Sequence, residues 1–438
     1  MRASPAPPAP RAPDLAELTR TFLRIGLVSF GGPAGQIALM HRVLIEEKGW
    51  LDEARYLNAL NLCTLLPGPE AQQLATFTGW MLGGWRGGVV AGVLFVLPGF
   101  LVIVALSAIY WAVGNVPLVT GVLLGLKAAV LAIVLQALWK VANRALHGPL
   151  AWAIAAAAFV ALFAFAVPFP VVVVGAAIAG AVGWRSEAPS PTTPGASLPP
   201  NGFSRAARIL GLFALLWALP PLLLVFATNG SGAYGDIALF FSKMAVLTFG
   251  GAYAVLAWVA QEAVAVHGWL NPAEMIDGLA LAETTPGPLI LVLSFVGFLG
   301  AARDGAGFDP LLAGIAGASV TVWVTFVPCF LWIFLLAPYV DAIRQRRSLA
   351  NALRGITASV VGVILNLSLW FALHVLFRSV ESFAAGPLTL HVPVLASLDW
   401  RAALLAALAF AAVFRLRLGL LPTLGSAAIG GLVLSRFG

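Results

Sequence analysis

Apolar residues along this chain come in blocks of helix length. Gly87–Val113, Leu118–Trp139, Ala151–Trp184, Leu311–Tyr339 and Ile356–Phe377 carry hardly a charged side chain, and about 20 helical residues cross a bilayer core. In hydrocarbon every backbone polar group must be satisfied within the segment, so runs of this length predict membrane helices. Trp80, Trp85, Trp111, Trp139 and Trp184 fall near the predicted ends, as an interfacial belt requires. Elsewhere the pattern is interrupted. Leu15–Phe30 stops at Gly31-Gly32-Pro33 and resumes to about Glu47, while Tyr56–Leu66 stops at Pro67-Gly68-Pro69 and resumes to about Gly83. Each arm is too short to span comfortably, so the pattern predicts re-entrant hairpins with tips buried in protein, where a broken helix is tolerated at membrane depth. Ala151–Trp184 predicts two short spans turning at Pro168-Phe169-Pro170.

The interrupted stretch occurs twice. A shift of 219 positions lays Phe22–Pro69 over Phe241–Pro288 without a gap, with 14 of 48 pairs identical. Identity falls on structure-making residues: Phe30-Gly31-Gly32 meets Phe249-Gly250-Gly251, Gly49-Trp50-Leu51 meets Gly268-Trp269-Leu270, and Pro67-Gly68-Pro69 meets Pro286-Gly287-Pro288. Arg24 meets Lys243, so a cation among apolar residues is kept while its chemistry changes. Further on the register becomes 230, where Val96-Leu97-Pro98 meets Phe326-Val327-Pro328 and Gln136 meets Asn366.

Loop charge then orients the copies. The basic Asp341–Arg354, with Arg344, Arg346, Arg347 and Arg354, corresponds to the uncharged Trp111–Leu124, and the basic Lys140–His147 corresponds to the uncharged Trp370–Phe377. Cationic loops stay cytoplasmic, so equivalent loops face opposite sides and the repeats are expected to be inverted. The expected organisation is a disordered arm (1–13), a first transporter repeat (14–184), a cytoplasmic linker rich in Pro, Ser, Thr and Gly (185–208), a connecting span (209–228) that supplies the odd crossing, and a second, inverted repeat (229–438). The expected fold class is an all-α polytopic integral membrane protein with two inverted-topology repeats and broken-helix re-entrant hairpins, four hairpins and nine full spans in all.

Composition agrees. The chain is 61% hydrophobic and 10% charged over 438 residues, which excludes a soluble globular protein. Its net charge of +7 is spread over many loops, without the concentrated basic face that nucleic-acid binding needs. Cys63 and Cys329 sit in apolar segments, one per half, and His41, His147, His267, His374 and His391 are scattered, so neither a disulfide nor a metal site is expected. Met1–Pro13 lacks the apolar core of a cleavable signal peptide, and Arg2 and Arg11 favour a cytoplasmic N-terminus. No cofactor is implied, and no GxxxxGK[ST] phosphate loop occurs.

The breaks are where chemistry is expected. Pro69 and Pro288 mark helix starts, whose free N–H groups and positive dipole end form a natural anion seat. Gly31-Gly32 and Gly250-Gly251 offer approachable backbone N–H at the other tips. Candidate substrate-binding residues are therefore Arg24, Gly31, Gly32, Pro67, Gly68, Pro69, Lys243, Gly250, Gly251, Pro286, Gly287 and Pro288. For each, the alternative is architecture without ligand contact; for Arg24 it is a side chain snorkelling to the cytoplasmic surface. Glu70 directly follows one break and Glu283 precedes the other, opposite Leu289 and Thr64 in the repeat. An acid in a dry pocket can take up and release a proton, so both are candidates for coupling. Gln36, Gln72, Gln73, Thr76, Thr284, Thr285 and Ser294 are further candidates to line the cavity.

The run FLRIGLVSFGGPAGQIALMHR, then GWL and LCTLLPGPEAQQLATFTGWMLGG, with KMAVLTFGGAYAVL and LAETTPGPLILVLSFVGF in the second half, resembles the chromate ion transporter family in its two-domain, long-chain form. The resemblance covers both halves and omits the arm and the linker. It implies a non-enzymatic protein of the bacterial inner membrane that exports chromate, with sulfate as a competitor and a homo-oligomer left open. Two other readings stay in view: a carrier of sulfate or another tetrahedral oxyanion, and a membrane enzyme acting on lipid-linked phosphates.

Overall fold

The computed structural model describes residues 13–114, 116–184, 202–249, 252–337, 347–386 and 388–437. Most of the expected arm and linker, Gly250, Gly251, Arg344 and Arg346 lie outside the described residues. The protein is an all-α polytopic membrane protein, and among the described residues six helices are long and apolar enough to cross a membrane.

The first repeat begins with α1 (Leu15–Leu27), capped by the Asp14 carboxylate, which accepts from the Glu17 N–H. After the glycine break come α2 (Gly32–His41) and a π-helical turn over Arg42–Glu47. The second hairpin is α3 (Glu53–Cys63) followed by the start of α4 (Glu70–Val113). α4 is two helices merged across a kink, where Gly83 and Gly84 leave helical geometry and Gly84 takes φ 62°. This is the expected end of the hairpin arm. α5 (Pro117–Ala145), α6 (Pro149–Phe165) and α7 (Phe169–Gly183) complete the repeat, α6 and α7 being the two short helices on either side of the proline turn.

α8 (Gly202–Ala227) contributes a peripheral span, only 6% buried over its most apolar window. It starts seven residues before the expected span, so Ser204–Arg208, read as linker, is helical. The second repeat repeats the hairpins as α9 (Tyr234–Leu247), α10 (Ala252–Ala260) with its own π-helical turn, α11 (Pro272–Thr284), and a 3₁₀ turn at Leu289–Leu291 leading into α12 (Val292–Arg303). α13 (Pro310–Leu336) and α14 (Arg347–Leu376) follow. Where the first repeat kinks at Gly83-Gly84, the second inserts the loop Asp304–Asp309, which supplies part of the change of register. An antiparallel hairpin of β1 (Val380–Ala385) and β2 (Leu388–Pro393) then intervenes before α15 (Trp400–Phe410) and α16 (Leu420–Leu434).

The halves are interlocked. α6 and α7 pack on α14 of the second repeat, while α15 and α16 pack on α5 of the first. Glycines set the closeness of these crossings, as small residues do where helices meet in a bilayer. A Cβ on Gly180 would lie 2.8 Å from the Gly355 Cα, and one on Gly431 would lie 2.8 Å from the Gly125 Cα. The second part of α4 runs antiparallel to its counterpart α13, with Gly88 against the Phe334 ring and Gly92 against the Phe330 ring.

Candidate functional site

The three helix breaks whose glycines are described are held open by a backbone that only glycine adopts freely. Gly31 and Gly32 sit at φ 91° and 68°, Gly68 at 120° and Gly287 at 93°, all in the left-handed region that a Cβ disfavours. The breaks then pair between repeats. The Gly287 N–H donates to the Ser29 carbonyl and the Gly68 N–H donates to the Thr248 carbonyl, both at 2.8 Å. Ser29 and Thr248 are equivalent positions, as are Gly68 and Gly287, so each repeat's proline break is seated on the other repeat's glycine break.

Where they meet is a cavity of about 10 Å³ lined by Pro33, Gln36, Pro69, Glu70, Ala71, Ala252, Pro288, Leu289 and Ile290. All four breaks contribute to it. The Gly68 and Gly287 N–H groups are committed to carbonyls, but the next helix starts are not capped: Pro69 precedes α4 and Pro288 precedes the 3₁₀ turn without a side-chain cap. The N–H groups of Glu70, Ala71, Leu289 and Ile290 are thus the orphans of a helix start, and they border the cavity. The space is about one water's worth, so a tetrahedral oxyanion requires the tips to part.

Side chains brace the tips. The Gln36 amide, buried, donates to the Gly287 carbonyl at 2.6 Å, a bond between repeats. Gln73 donates to the Pro67 carbonyl at 2.6 Å within one break, and Gln72 donates to Thr76 within α4. Ser294 donates to Leu291, and Thr284 and Thr285 bond back to their own helix. Of the coupling candidates, Glu70 lines the cavity itself. Glu283 is buried at 4% exposure and accepts from the Tyr253 hydroxyl at 2.7 Å.

The two matched cations are not brought to the cavity. The Arg24 side chain is 59% exposed and pairs with Glu47 at 3.1 Å, and Glu47 also meets Arg42 at 3.4 Å. Lys243 is likewise exposed. Each lies on its helix's outward stripe, Arg24 with Leu23, Leu27 and Val28, Lys243 with Leu239 and Val246. Each cation lies in the last turn or so of its helix, before the break, and helical phase turns both side chains outward.

A different intramembrane cation is engaged in the fold. Lys127, midway along α5, lies 2.9 Å from the Asp277 carboxylate on α11, with side chains 22% and 7% exposed. The Tyr110 hydroxyl donates to the other Asp277 oxygen at 3.0 Å. In the sequence Lys127 is the one charged residue within the apolar run Leu118–Trp139, a cation among apolar residues like Arg24.

The repeats also differ in closure. α10 packs against α14 and α11 against α5 and α14, whereas α2 and α3 pack mainly on α4. Leu57, Asn58, Asn61 and Thr64 of α3 are exposed, while their counterparts Ile276, Asp277, Ala280 and Glu283 of α11 are buried.

Comparison with known proteins gives a consistent result. The family described as chromate transporter matches residues 16–184 and 235–432. The chain is 32% identical over 357 residues to a chromate transport protein of Pseudomonas aeruginosa, covering 80% of this chain and 79% of that one. It is 30% identical over 354 residues to a chromate transport protein of Cupriavidus metallidurans, covering 80% of each. A probable chromate transport protein of Synechococcus elongatus is 30% identical over 352 residues, 80% of this chain and 83% of its own. No solved structure matches the chain.

Proposed function

This chain belongs to the chromate transporter family, and from that membership we propose that it is a secondary transporter exporting chromate from the cytoplasm by alternating access. The observation that carries the proposal is the single cavity where all four helix breaks converge, bordered by the uncapped N–H groups of Glu70, Ala71, Leu289 and Ile290. Chromate is a tetrahedral dianion, and stripping its hydration needs several donors aimed at one place. Two helix starts facing each other supply them, with the macrodipoles adding positive potential. In this reading Pro67-Gly68-Pro69 and Pro286-Gly287-Pro288 position the helix starts, and Gly31-Gly32 forms an opposing tip, with Gly250-Gly251 its counterpart in the repeat.

Inverted repeats are the second part of the proposal. The antiparallel course of α4 and α13 supports it, as do the reciprocal bonds of Gly68 and Gly287. The unequal closure of α3 and α11 supports alternating access, as two states of one hairpin frozen in the two repeats. With the N-terminus in the cytoplasm of a bacterial inner membrane, the loosely packed first repeat opens inward. Its mouth carries Arg24, Arg42, Lys140 and Arg144, whereas the positions matching the last three in the second repeat are Gln261, Trp370 and His374. Anions are drawn to the basic mouth and released at the neutral one. Lys243 stands opposite Arg24 as the outer cation.

The field favours this direction. Moving one charge through 100 mV is worth about 2.3 kcal/mol, so a dianion leaving an inside-negative cell gains roughly twice that. Glu70 in the cavity and Glu283 beside it are the proposed proton-coupling acids. Sulfate and other tetrahedral oxyanions fit the same donors, because backbone N–H groups read charge and shape. The test is chromate accumulation in energised cells expressing wild type or the Arg24→Gln, Lys243→Gln double variant, with sulfate as competitor. Lower accumulation with wild type is expected, partly lost in the double variant. Unchanged accumulation with wild type would reject chromate export and turn the reading to another oxyanion.

A further inference from the structure

The second repeat's hairpin is fastened by charge to spans of the first repeat. Asp277 sits on α11, an arm of the second repeat's hairpin, and its two partners come from spans of the first repeat: Lys127 on α5 at 2.9 Å and Tyr110 at the end of α4 at 3.0 Å. The Tyr110 ring stands edge-on to Phe295 of α12, with centroids 5.2 Å apart, so both arms of that hairpin are engaged. Phe295 is fully buried, and its ring also fills the space over Gly278. Arg303 and Glu274, at the outer end of the same hairpin, pair with each other rather than with a span.

At the equivalent place in the other half the charges are missing. Asp277 corresponds to Asn58 and Lys127 to Thr357, whose hydroxyl bonds back to Leu353 on its own helix. Asn58 and Thr357 are both exposed. A buried ion pair stripped of one partner leaves an uncompensated charge, so a hairpin that swings away from α5 must break an ion pair, and the neutral Asn58 and Thr357 present none at the equivalent place.

We propose that Lys127, Asp277 and Tyr110 form a latch that holds the second repeat's mouth shut, so that two mouths of near-equal architecture open with unequal ease and the resting transporter waits with the first repeat's mouth open. The three act as positioning residues: they set which side the central cavity faces before substrate arrives. The inference rests on the alternating-access reading, and it assigns the bias between states to one ion pair. It also gives Lys127 a role that neither the repeat pattern nor the cavity requires.

The test is thiol accessibility in lipid nanodiscs, where both mouths are reachable. In a Cys63→Ser, Cys329→Ser background, Phe295→Cys reports on the latched mouth and Thr76→Cys, its repeat counterpart, on the other. Labelling of Phe295→Cys by a membrane-impermeant maleimide is expected to rise more than about tenfold with Asp277→Asn or Lys127→Gln, and to fall back in the Lys127→Asp, Asp277→Lys exchange. Thr76→Cys should label no faster in any of them. Equal acceleration of both reporters, or none at Phe295→Cys, would overturn the latch. Should the Phe295→Cys protein fail to fold, hydrogen exchange of the Pro272–Thr284 amides in the otherwise native chain reads the same release, and unchanged exchange in Asp277→Asn would overturn it equally. Neither measurement uses chromate, so the latch and the substrate assignment fail separately.

Discussion

Gln36 is the side chain through which one repeat's tip holds the other's, and its removal has a calculable effect. Its amide donates at 2.6 Å to the Gly287 carbonyl, in a site where Gln36 is 1% exposed. Gln36→Leu keeps most of the volume and deletes the donor, leaving that carbonyl buried without its side-chain partner. Such a loss costs about 1–3 kcal/mol, a factor of roughly 5–150 in an equilibrium constant. It falls on the state in which the tips are closed round the cavity. Initial chromate uptake by everted membrane vesicles should therefore drop at least about fivefold at equal protein level. Gln72→Leu is the control, because the bond Gln72 makes among the described residues is to Thr76 in its own helix, and it should change the rate by much less. A folded Gln36→Leu protein that transports at the wild-type rate would refute the idea that this contact positions the tips.

Other consequences follow from the same contacts. Gly287→Ala places a Cβ at φ 93°, 3.1 Å from a Leu291 methyl, and is expected to cost about 1–2 kcal/mol from backbone strain alone and to lower transport; a wild-type Tm and rate would contradict this. Gly355→Val puts its Cβ 2.2 Å from the Ala176 carbonyl oxygen, so the α7–α14 crossing must separate, destabilising by about 1–3 kcal/mol in a thermal-unfolding assay in detergent. Asp399, between β2 and α15, caps α15 and accepts from Arg401 at 3.1 Å. Burial pushes its carboxyl up, but the hydrogen bonds and charge of Arg401 outweigh that and hold it below the usual range. A depressed acid stabilises above its ordinary pKa, about 3.9, and the contribution disappears as pH falls through the lower folded value; the Tm gap between wild type and Asp399→Asn should be open at neutral pH and close in acid. Glu283→Gln keeps the Tyr253 contact and removes the titratable proton, so transport should persist while losing its response to an imposed pH gradient.

Much of the architecture was legible because it is written in residues with strict backbone needs. Gly31, Gly68, Gly84 and Gly287 all take positive φ, and Pro69, Pro117 and Pro272 all stand at or beside helix starts, so the breaks fell where the sequence put them. The hairpin of β1 and β2 was not legible: Val380–Pro393 is short and partly apolar, and its pairing depends on a turn rather than a long-range pattern. The cations show the limit of repeat matching. Arg24 and Lys243 align in sequence, yet an outward phase on their helices keeps them from the tips, and the alignment carries no information on phase relative to a neighbouring helix. Lys127 and Asp277 belong to different repeats and to non-equivalent positions, so matching the halves singles out Asp277 only as an acid near Glu283 and does not pair it with Lys127.

The central claim, that chromate leaves the cell through the cavity between the paired breaks, is tested most directly by radiolabelled chromate uptake into everted vesicles under a potential of chosen sign. The account predicts uptake when the lumen is positive, inhibition by excess sulfate, and little uptake when the sign is reversed. Vesicles that take up no chromate under either potential, with the protein present and folded, would contradict it.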